Sequence, residues 1–305
     1  MVPTLSDLEL AVLLSLVAKQ HCLVYTSEDL IEDVAEELGL IVTEVFDLNC
    51  AILEPECLQS RAMFGEAVLD DNTNPDDSDL ITTLPSRSDN APLVPAGQGS
   101  AKPKLDARLV VNVVIAKHFD VACEDVQFQV LEMIGRNRIV SKTTVHPTPT
   151  TFLFIPINDR FFMSHHHVER DGFPFLEGVH GAPGERTVPK KIIDSIRERA
   201  QAVEVTSELR RYLQDMIVFL RVERDVDGGV TPNAGVNLLD LAKYLAPLHD
   251  VDFVMPSLVI LAARKVYLHR LILSPWAKCH RTQKVFRRHP EDVIDSVLTQ
   301  LNCLL

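Results

Sequence analysis

A nearly continuous run of apolar, mostly β-branched residues from Val110 to Ala116 constrains the fold of this chain more than any other stretch. It shows no polar–apolar alternation, which is typical of a strand buried on both faces of a parallel sheet. A helical pattern follows from Val121 to Ile134, and we expect Gly135 to end that helix. Arg138 to Val145 alternates like a short hairpin, and Thr151 to Ile155 predicts a second buried strand. This order of elements indicates an α/β domain.

The residues before this run predict further elements of the same domain. Apolar spacing predicts a helix over about residues 5–20 and a second helix over residues 28–38, with Gly39 as its end. The next strand lies around residues 41–46 or around residues 51–53, and the pattern fits both placements.

Composition favours an ordinary soluble globular protein, because 46% of the 305 residues are hydrophobic and 24% are charged. The longest apolar stretch, residues 11–18, is too short to cross a bilayer, so no membrane partner is expected. The N-terminus lacks the pattern of a secretory signal. The six cysteines form no Cys-x-x-Cys pair, which favours reduced, buried thiols and a cytoplasmic or nuclear location.

Acidic residues are concentrated in the first third of the chain. Residues 1–100 contain 19 Asp and Glu but only 3 Lys and Arg, a net charge of −16, against −13 for the whole chain. A nucleic acid partner is therefore not expected for the whole surface. The basic stretch from Lys278 to Arg288 leaves a local contact open. The polar, Pro-rich segment 70–106 is predicted to be a disordered insertion, with Asp79 to Ile81 as a weaker candidate for a partner motif.

The strand, turn, helix, hairpin and strand resemble the Walker B half of an AAA+ ATPase, and most of all the MoxR and magnesium-chelatase ATPase-subunit group. The match includes Gln127, Gln129 and the Leu131–Met133 segment of the helix. In that group an Asp-Glu pair follows the strand and serves Mg²⁺ and the attacking water, but here Lys117 and His118 occupy the place of the pair.

Residues 21–25 predict a short first strand before the second helix. The resemblance implies a phosphate-binding loop between this strand and that helix, and this chain departs from that pattern. No glycine or lysine lies between Tyr25 and Leu38, whereas the P-loop requires both. Lys117 is therefore expected to replace the counter-charge of the phosphate, paired with Asp29 or Asp120. The resemblance thus implies no cofactor, with ATP and Mg²⁺ as the alternative.

Two positions of this chain correspond to arginines of the ATPases, and only the first of them holds an arginine. Arg160 matches the arginine that reaches toward the neighbouring subunit's nucleotide, although a structural ion pair is the favoured role here. The polar sensor residue of the preceding strand is interpreted as deleted, with Asn158 as the alternative. In the lid, Gly229 to Asn233 keeps the frame of a Gly-x-Ser-Pro-Arg motif, but Asn233 replaces its arginine.

Histidines 165–167 are the weak candidate for a metal site. On a strand only His165 and His167 would share a face, and zinc sites usually add further spaced ligands, so no metal is expected.

The expected fold is α/β: a degenerate AAA+ P-loop-type parallel sheet domain followed by an all-α lid domain. Residues 1–69 and 107–185 would form the sheet domain around the 70–106 insertion. Residues 186–273 would form the lid, and residues 274–305 a basic connector with a C-terminal helix.

The whole pattern resembles fungal magnesium-chelatase-like proteins related to the yeast telomere-capping-maintenance protein. Because the loop, the acidic pair and the sensor arginine are all missing, the resemblance implies a degenerate ATPase that acts as a protein-interaction scaffold. One alternative is a magnesium-chelatase-type ATP-dependent subunit that retains nucleotide binding or is completed by a partner subunit. A weaker alternative is a telomere-maintenance or nucleic-acid accessory protein. Homo- or hetero-oligomers through AAA+-type surfaces would be compatible with the first two functions.

Overall fold

The computed structural model describes residues 5–70, 108–140, 144–158, 187–274 and 289–302. The chain divides into two compact units, which are described separately. An α/β unit comprises residues 21–158, and a helical unit comprises residues 1–20 together with residues 159–305.

The α/β unit is built from short strands and three helices, numbered here along the whole chain. Its elements are β1 (Val24–Tyr25), α2 (Ile31–Leu40), β2 (Cys50–Leu53), α3 (Arg61–Ala67), β3 (Leu69–Asp70), β4 (Leu109–Val110), β5 (Val113–Lys117), α4 (Glu124–Arg136), β6 (Arg138–Val140), β7 (Val145–Pro147) and β8 (Leu153–Asn158).

A four-stranded parallel sheet in the order β1-β8-β5-β2 forms the centre of this unit. Strand β5 lies between two neighbours and every one of its residues is buried, as its apolar sequence predicts. Because all four strands are parallel, their carboxyl ends meet at one edge, which is where open α/β sheets place their ligands. We call this the carboxyl edge.

The structure refines the predicted central strand and corrects the helix end after it. The run from Val110 to Ala116 is divided between two strands, because β4 pairs antiparallel with β3 before the chain enters β5. Gly135 does not end α4 but lies within its last turn. The helix ends at Asn137, which adopts the left-handed conformation with φ 51°.

Gly39 was also wrongly predicted to end a helix. It is buried inside α2, and the helical path continues through a π-helical turn at Ile41–Val45. A Cβ atom on Gly39 would lie 3.1 Å from Cδ1 of Ile52, so the glycine allows the helix to pack closely on β2. Of the two predicted positions for the next strand, the second is confirmed, because β2 contains residues 51–53.

The hairpin prediction is confirmed, since β6 and β7 pair antiparallel. The predicted insertion lies almost entirely outside the described residues, but strands β3 and β4 on either side of it pair with each other, Asp70 opposite Leu109.

The helical unit contains α1 (Asp7–Ala18), α5 (Lys190–Ala202), α6 (Ser207–Val222), α7 (Pro232–Leu248), α8 (Pro256–Tyr267) and α9 (Pro290–Asn302), with strands β9 (Val226–Gly228) and β10 (Ile272–Leu273) paired antiparallel. One apolar cluster runs through α6, α7, α8 and α9. Within the described residues, no helix has the length and apolarity needed to cross a membrane.

Helix α1 contacts α5 and α7 in the helical unit, although the sequence places residues 1–69 in the α/β domain. Arg197 on α5 fixes the carboxyl end of α1, because its guanidinium donates to the carbonyls of Val17 (3.0 Å) and Leu16 (2.5 Å). Carbonyls in the last turn of a helix have no partner within the helix, so a partly buried arginine can satisfy them.

Candidate functional site

The carboxyl edge of the sheet brings together side chains from four different parts of the α/β unit. Lys117 ends β5, Asn158 ends β8, and Glu54 directly follows β2. Glu32 comes from the first turn of α2, the helix that follows β1. This is the edge where the resemblance places the nucleotide of an AAA+ ATPase.

The side chain of Lys117 is almost completely buried, with 5% of its surface exposed, and it forms two ion pairs. Its Nζ lies 2.6 Å from Oε2 of Glu32 and also contacts Oε1 of Glu54. The predicted carboxylate partnership is therefore present, but Asp29 and Asp120 were the wrong candidates. The two glutamates are more than half exposed, so a buried cation is held between carboxylates that remain in contact with water.

Electrostatics at this edge favour the charged form of the lysine. Burial acts to lower the pKa of Lys117, but hydrogen bonds to Glu32 and Glu54 and their negative charges outweigh it, so the pKa is raised above its usual value. The ammonium is therefore positively charged at neutral pH, and the carboxylates of Glu32 and Glu54 supply its counter-charge.

The connection from β1 to α2 contains no cradle for phosphate. Thr26 donates its backbone N–H to the carbonyl of Asn158 (3.2 Å), Ser27 follows, and a 3₁₀ turn at Glu28–Leu30 leads directly into α2. The first turns of these helices carry Glu28, Asp29, Glu32 and Asp33, which already interact favourably with the helix dipole. The residues at this edge do not fit a Mg²⁺-bound triphosphate, because carboxylates occupy the position where a P-loop presents backbone N–H groups and a lysine.

His118 and Asp120 shape the turn that leaves β5. His118 has φ 49°, a left-handed conformation, and its backbone N–H donates to the carbonyl of Ile157 (2.9 Å). Within the described part of the chain, Oδ1 of Asp120 is buried without a hydrogen-bond partner. His118 and Asp120 therefore belong to the turn that connects β5 to α4.

Asn158 lies at the carboxyl end of β8. If the polar sensor residue is deleted, as interpreted from the sequence, no polar residue is expected there. Strand β8 runs without interruption through Pro156 and Ile157 to Asn158, which is 2% exposed. Among the described residues its Oδ1 has no hydrogen-bond partner. The strand therefore carries a buried polar residue at its carboxyl end, while the deletion and the placement of the sensor residue at Asn158 both stay interpretations of the sequence.

The segment from Gly229 to Asn233 forms the turn before α7 and the start of that helix. Thr231 caps α7, because its hydroxyl accepts the backbone N–H of Ala234 (3.2 Å), and Pro232 occupies the first helical position. Gly229 has φ +94°, and a Cβ atom there would lie 1.8 Å from the carbonyl oxygen of Arg270. Asn233 is exposed in the first turn of α7.

The remaining predicted residues lie outside the part of the chain that the structure describes. This applies to Arg160 and to the histidines His165 and His167. Within the described residues, no group of three or more His, Cys, Asp or Glu side chains could hold a metal ion.

Comparison with known proteins supports the same architecture. The AAA lid domain family matches residues 218–293. The uncharacterized protein YeaC of Bacillus subtilis (strain 168) is 27% identical over 94 residues, which cover 31% of this chain and 29% of YeaC. The chain therefore matches less than a third of the length of this curated relative.

Two crystal structures align with this chain, and the first of them resembles its fold. A protein of Cytophaga hutchinsonii ATCC 33406, provisionally classed as an ATPase, aligns with a TM-score of 0.58 at 14% identity, covering 94% of this chain and 86% of that protein. A full-length MCM homologue of Methanopyrus kandleri aligns with a TM-score of 0.47 at 14% identity, over 86% of this chain and 55% of the homologue.

The protein thus has the fold of an AAA+ ATPase: a parallel-sheet α/β domain followed by a helical lid domain.

Proposed function

We propose that this chain is a degenerate AAA+ module that binds no nucleotide and acts as an interaction scaffold for other proteins. The observation that carries this proposal is the ion-paired group at the carboxyl edge, in which Lys117 is buried between Glu32 and Glu54. In a nucleotide-binding relative, the charge at this edge is supplied by phosphate and Mg²⁺. Here the protein supplies both signs itself, so the edge keeps its structure without a ligand.

Electrostatics oppose nucleotide binding at this edge. A triphosphate placed there would meet the carboxylates of Glu32 and Glu54, and each like-charge pair at 4 Å costs about 1 kcal/mol in water and about 4 kcal/mol near a protein surface. Freeing Lys117 for the phosphate would require breaking both of its ion pairs. Nucleotide binding would therefore have no phosphate-binding loop to stabilise it, and it would also break the ion pairs of Lys117.

The finer assignment to the MoxR and magnesium-chelatase group, including the fungal telomere-related proteins, is part of this proposal and rests on the sequence resemblance. The same applies to a protein partner, to homo- or hetero-oligomers and to a cytoplasmic or nuclear location. A telomere-maintenance or nucleic-acid accessory role would be one context for such a scaffold.

A second candidate function is an ATP-dependent subunit that a partner subunit completes. Asn158 favours it, because its buried amide oxygen at the strand end has no partner among the described residues and could accept a hydrogen bond from a bound group. In this case the partner would supply the missing loop and acidic groups.

Thermal unfolding of the full chain with millimolar ATP or ADP and Mg²⁺ tests the scaffold proposal. A ligand that binds only the folded state at a hundredfold excess over Kd adds about 2.7 kcal/mol of stability. The scaffold proposal expects no change in melting temperature. A rise that is reproduced with a non-hydrolysable analogue and lost in Asn158→Ala would refute it and support the second function.

A further inference from the structure

Helix α4 turns an apolar strip away from its own core. Its inward face consists of Val126, Gln129, Val130 and Met133, which are all buried. Phe128 and Leu131 lie one helical turn apart on the opposite face, and they are 68% and 63% exposed. Large side chains with this exposure, adjacent on one helix face, are typical of an interaction surface. We call the exposed side of residues 124–136 the outer face of α4.

Charged residues at the two ends of this face are of opposite sign. Glu124 and Asp125 lie exposed in the first turn, and Arg136 lies exposed in the last turn. In addition, Gly135 is exposed near the carboxyl end, and an added Cβ there would have no atom within 4 Å. The face therefore has an acidic end, an apolar centre and a basic end.

We propose that the outer face of α4 binds the same face of a second copy of this chain, with the two helices antiparallel. A two-fold axis between antiparallel helices places the acidic end of each helix beside the basic end of the other. The apolar pair Phe128 and Leu131 is centred close to the middle of α4, and so is the charged pair Asp125 and Arg136. Both pairs can therefore form across one axis, and each contact occurs twice, as in an isologous dimer.

The predicted contacts follow from the helical spacing. Phe128 of one copy packs on Leu131 of the other, and Asp125 pairs with Arg136 on the same side of the helix. The acidic first turn faces Gly135, where the absence of a side chain allows close approach of the two helices. Arg136 now lies 3.2 Å from Glu132 on its own helix and is 66% exposed, so it can reach a second carboxylate without leaving a buried position.

The size of the face predicts a weak dimer. A helix of 13 residues is about 20 Å long, and a single helix pair buries less than the roughly 1,200 Å² found in stable specific interfaces. We therefore expect association that depends on protein concentration in the micromolar range or above. Such a contact differs from a head-to-tail ring contact, because both copies use one identical surface.

Sedimentation velocity of the full chain from about 5 µM to about 1 mM tests the proposal. We expect the mean mass to rise with concentration toward that of a dimer. Phe128→Glu should weaken association at least tenfold, while Val222→Glu, an equally exposed valine on α6, should leave it unchanged. Circular dichroism of both variants checks that the fold is retained, since neither side chain is buried.

A charge-reversal series tests the antiparallel arrangement. Asp125→Arg and Arg136→Asp should each weaken the dimer, whereas the double variant, or a mixture of the two single variants, should regain it. Glu208→Arg makes the same change in the first turn of α6 and serves as the matched control. A chain that stays monomeric at 1 mM, a dimer that resists Phe128→Glu, or single variants that are not rescued by each other would each overturn the proposal.

Discussion

Replacing Lys117 by methionine is expected to cost less stability than removing the two glutamates that hold it. Methionine has a similar length and can fill the buried space of the lysine stem. Glu32 and Glu54 would lose their cation, but 69% and 52% of their side-chain surfaces are exposed, so water can solvate them. The double variant Glu32→Ala/Glu54→Ala instead leaves a buried ammonium without a partner.

The geometry gives the magnitudes. Because both carboxylates contact the same nitrogen, their oxygens lie at most about 5 Å apart, and their repulsion without the lysine is at least about 1 kcal/mol in water and about 3 kcal/mol at an intermediate dielectric. The lost ion pairs are partly offset, because the ammonium no longer has to be desolvated. We expect Lys117→Met to lower the free energy of unfolding by about 1–2 kcal/mol. The double glutamate variant should lower it by about 3–5 kcal/mol, the usual cost of an unpaired buried charge.

Equilibrium urea unfolding followed by circular dichroism measures both changes, and hydrogen exchange of β5 reports the site itself. In the triple variant, Lys117→Met together with the two alanines, most of the larger loss should be recovered, since no buried charge remains. The raised pKa of Lys117 adds a pH test. Its contribution is complete below the unfolded pKa of about 10.4 and is lost as the pH rises through the folded value. Equal losses for the lysine and glutamate variants would refute this reasoning.

Three further predictions concern other parts of the chain. Burial lowers the pKa of His21, whose Nδ1 accepts the Phe154 N–H (3.1 Å), so stability present above pH about 6.5 should fall as the solution is acidified. In His21→Asn the urea midpoint of unfolding should therefore change less between pH 7 and pH 5 than in the unsubstituted chain, and an equal change in both proteins would contradict the assignment. Gly229→Ala should cost about 3 kcal/mol or more because the new Cβ would clash with backbone at positive φ, whereas Gly65→Ala inside α3 should stabilise by about 1 kcal/mol; thermal unfolding compares the two. Replacing residues 72–106 by a four-residue Gly-Ser loop should keep or raise the unfolding midpoint, by at most about 2 kcal/mol in stability, because β3 and β4 already pair at its ends; loss of the cooperative transition would show that the segment belongs to the core.

Local sequence patterns were sufficient where a single element determines the outcome. The apolar strand β5 and the hairpin of β6 and β7 follow from side-chain periodicity, which acts over a few residues. The prediction that a phosphate loop is missing is equally local, because it rests on the absence of glycine and lysine between Tyr25 and Leu38. Lys117 at the end of a buried strand also predicted a carboxylate partner, since an isolated buried ammonium is too costly.

Tertiary packing decided the remaining features. Gly39 and Gly135 look like helix ends in the sequence, but Gly39 serves close packing against β2, and a left-handed Asn137 ends α4. The contacts of helix α1 with the helical unit could not be derived from its own sequence, because an apolar helix is expected to be buried but its sequence does not say against what.

The partners of Lys117 show the same division between sequence and structure. Glu32 and Glu54 lie 22 residues apart in sequence and far from residue 117, and they meet only because β2 is the neighbour of β5 and α2 packs near the same edge. Sequence alone therefore predicts that the nucleotide machinery is missing, because the residue types that a phosphate-binding loop requires do not occur between Tyr25 and Leu38. Only the order of the strands decided which carboxylates neutralise the lysine, since that depends on distances between segments that no local pattern contains.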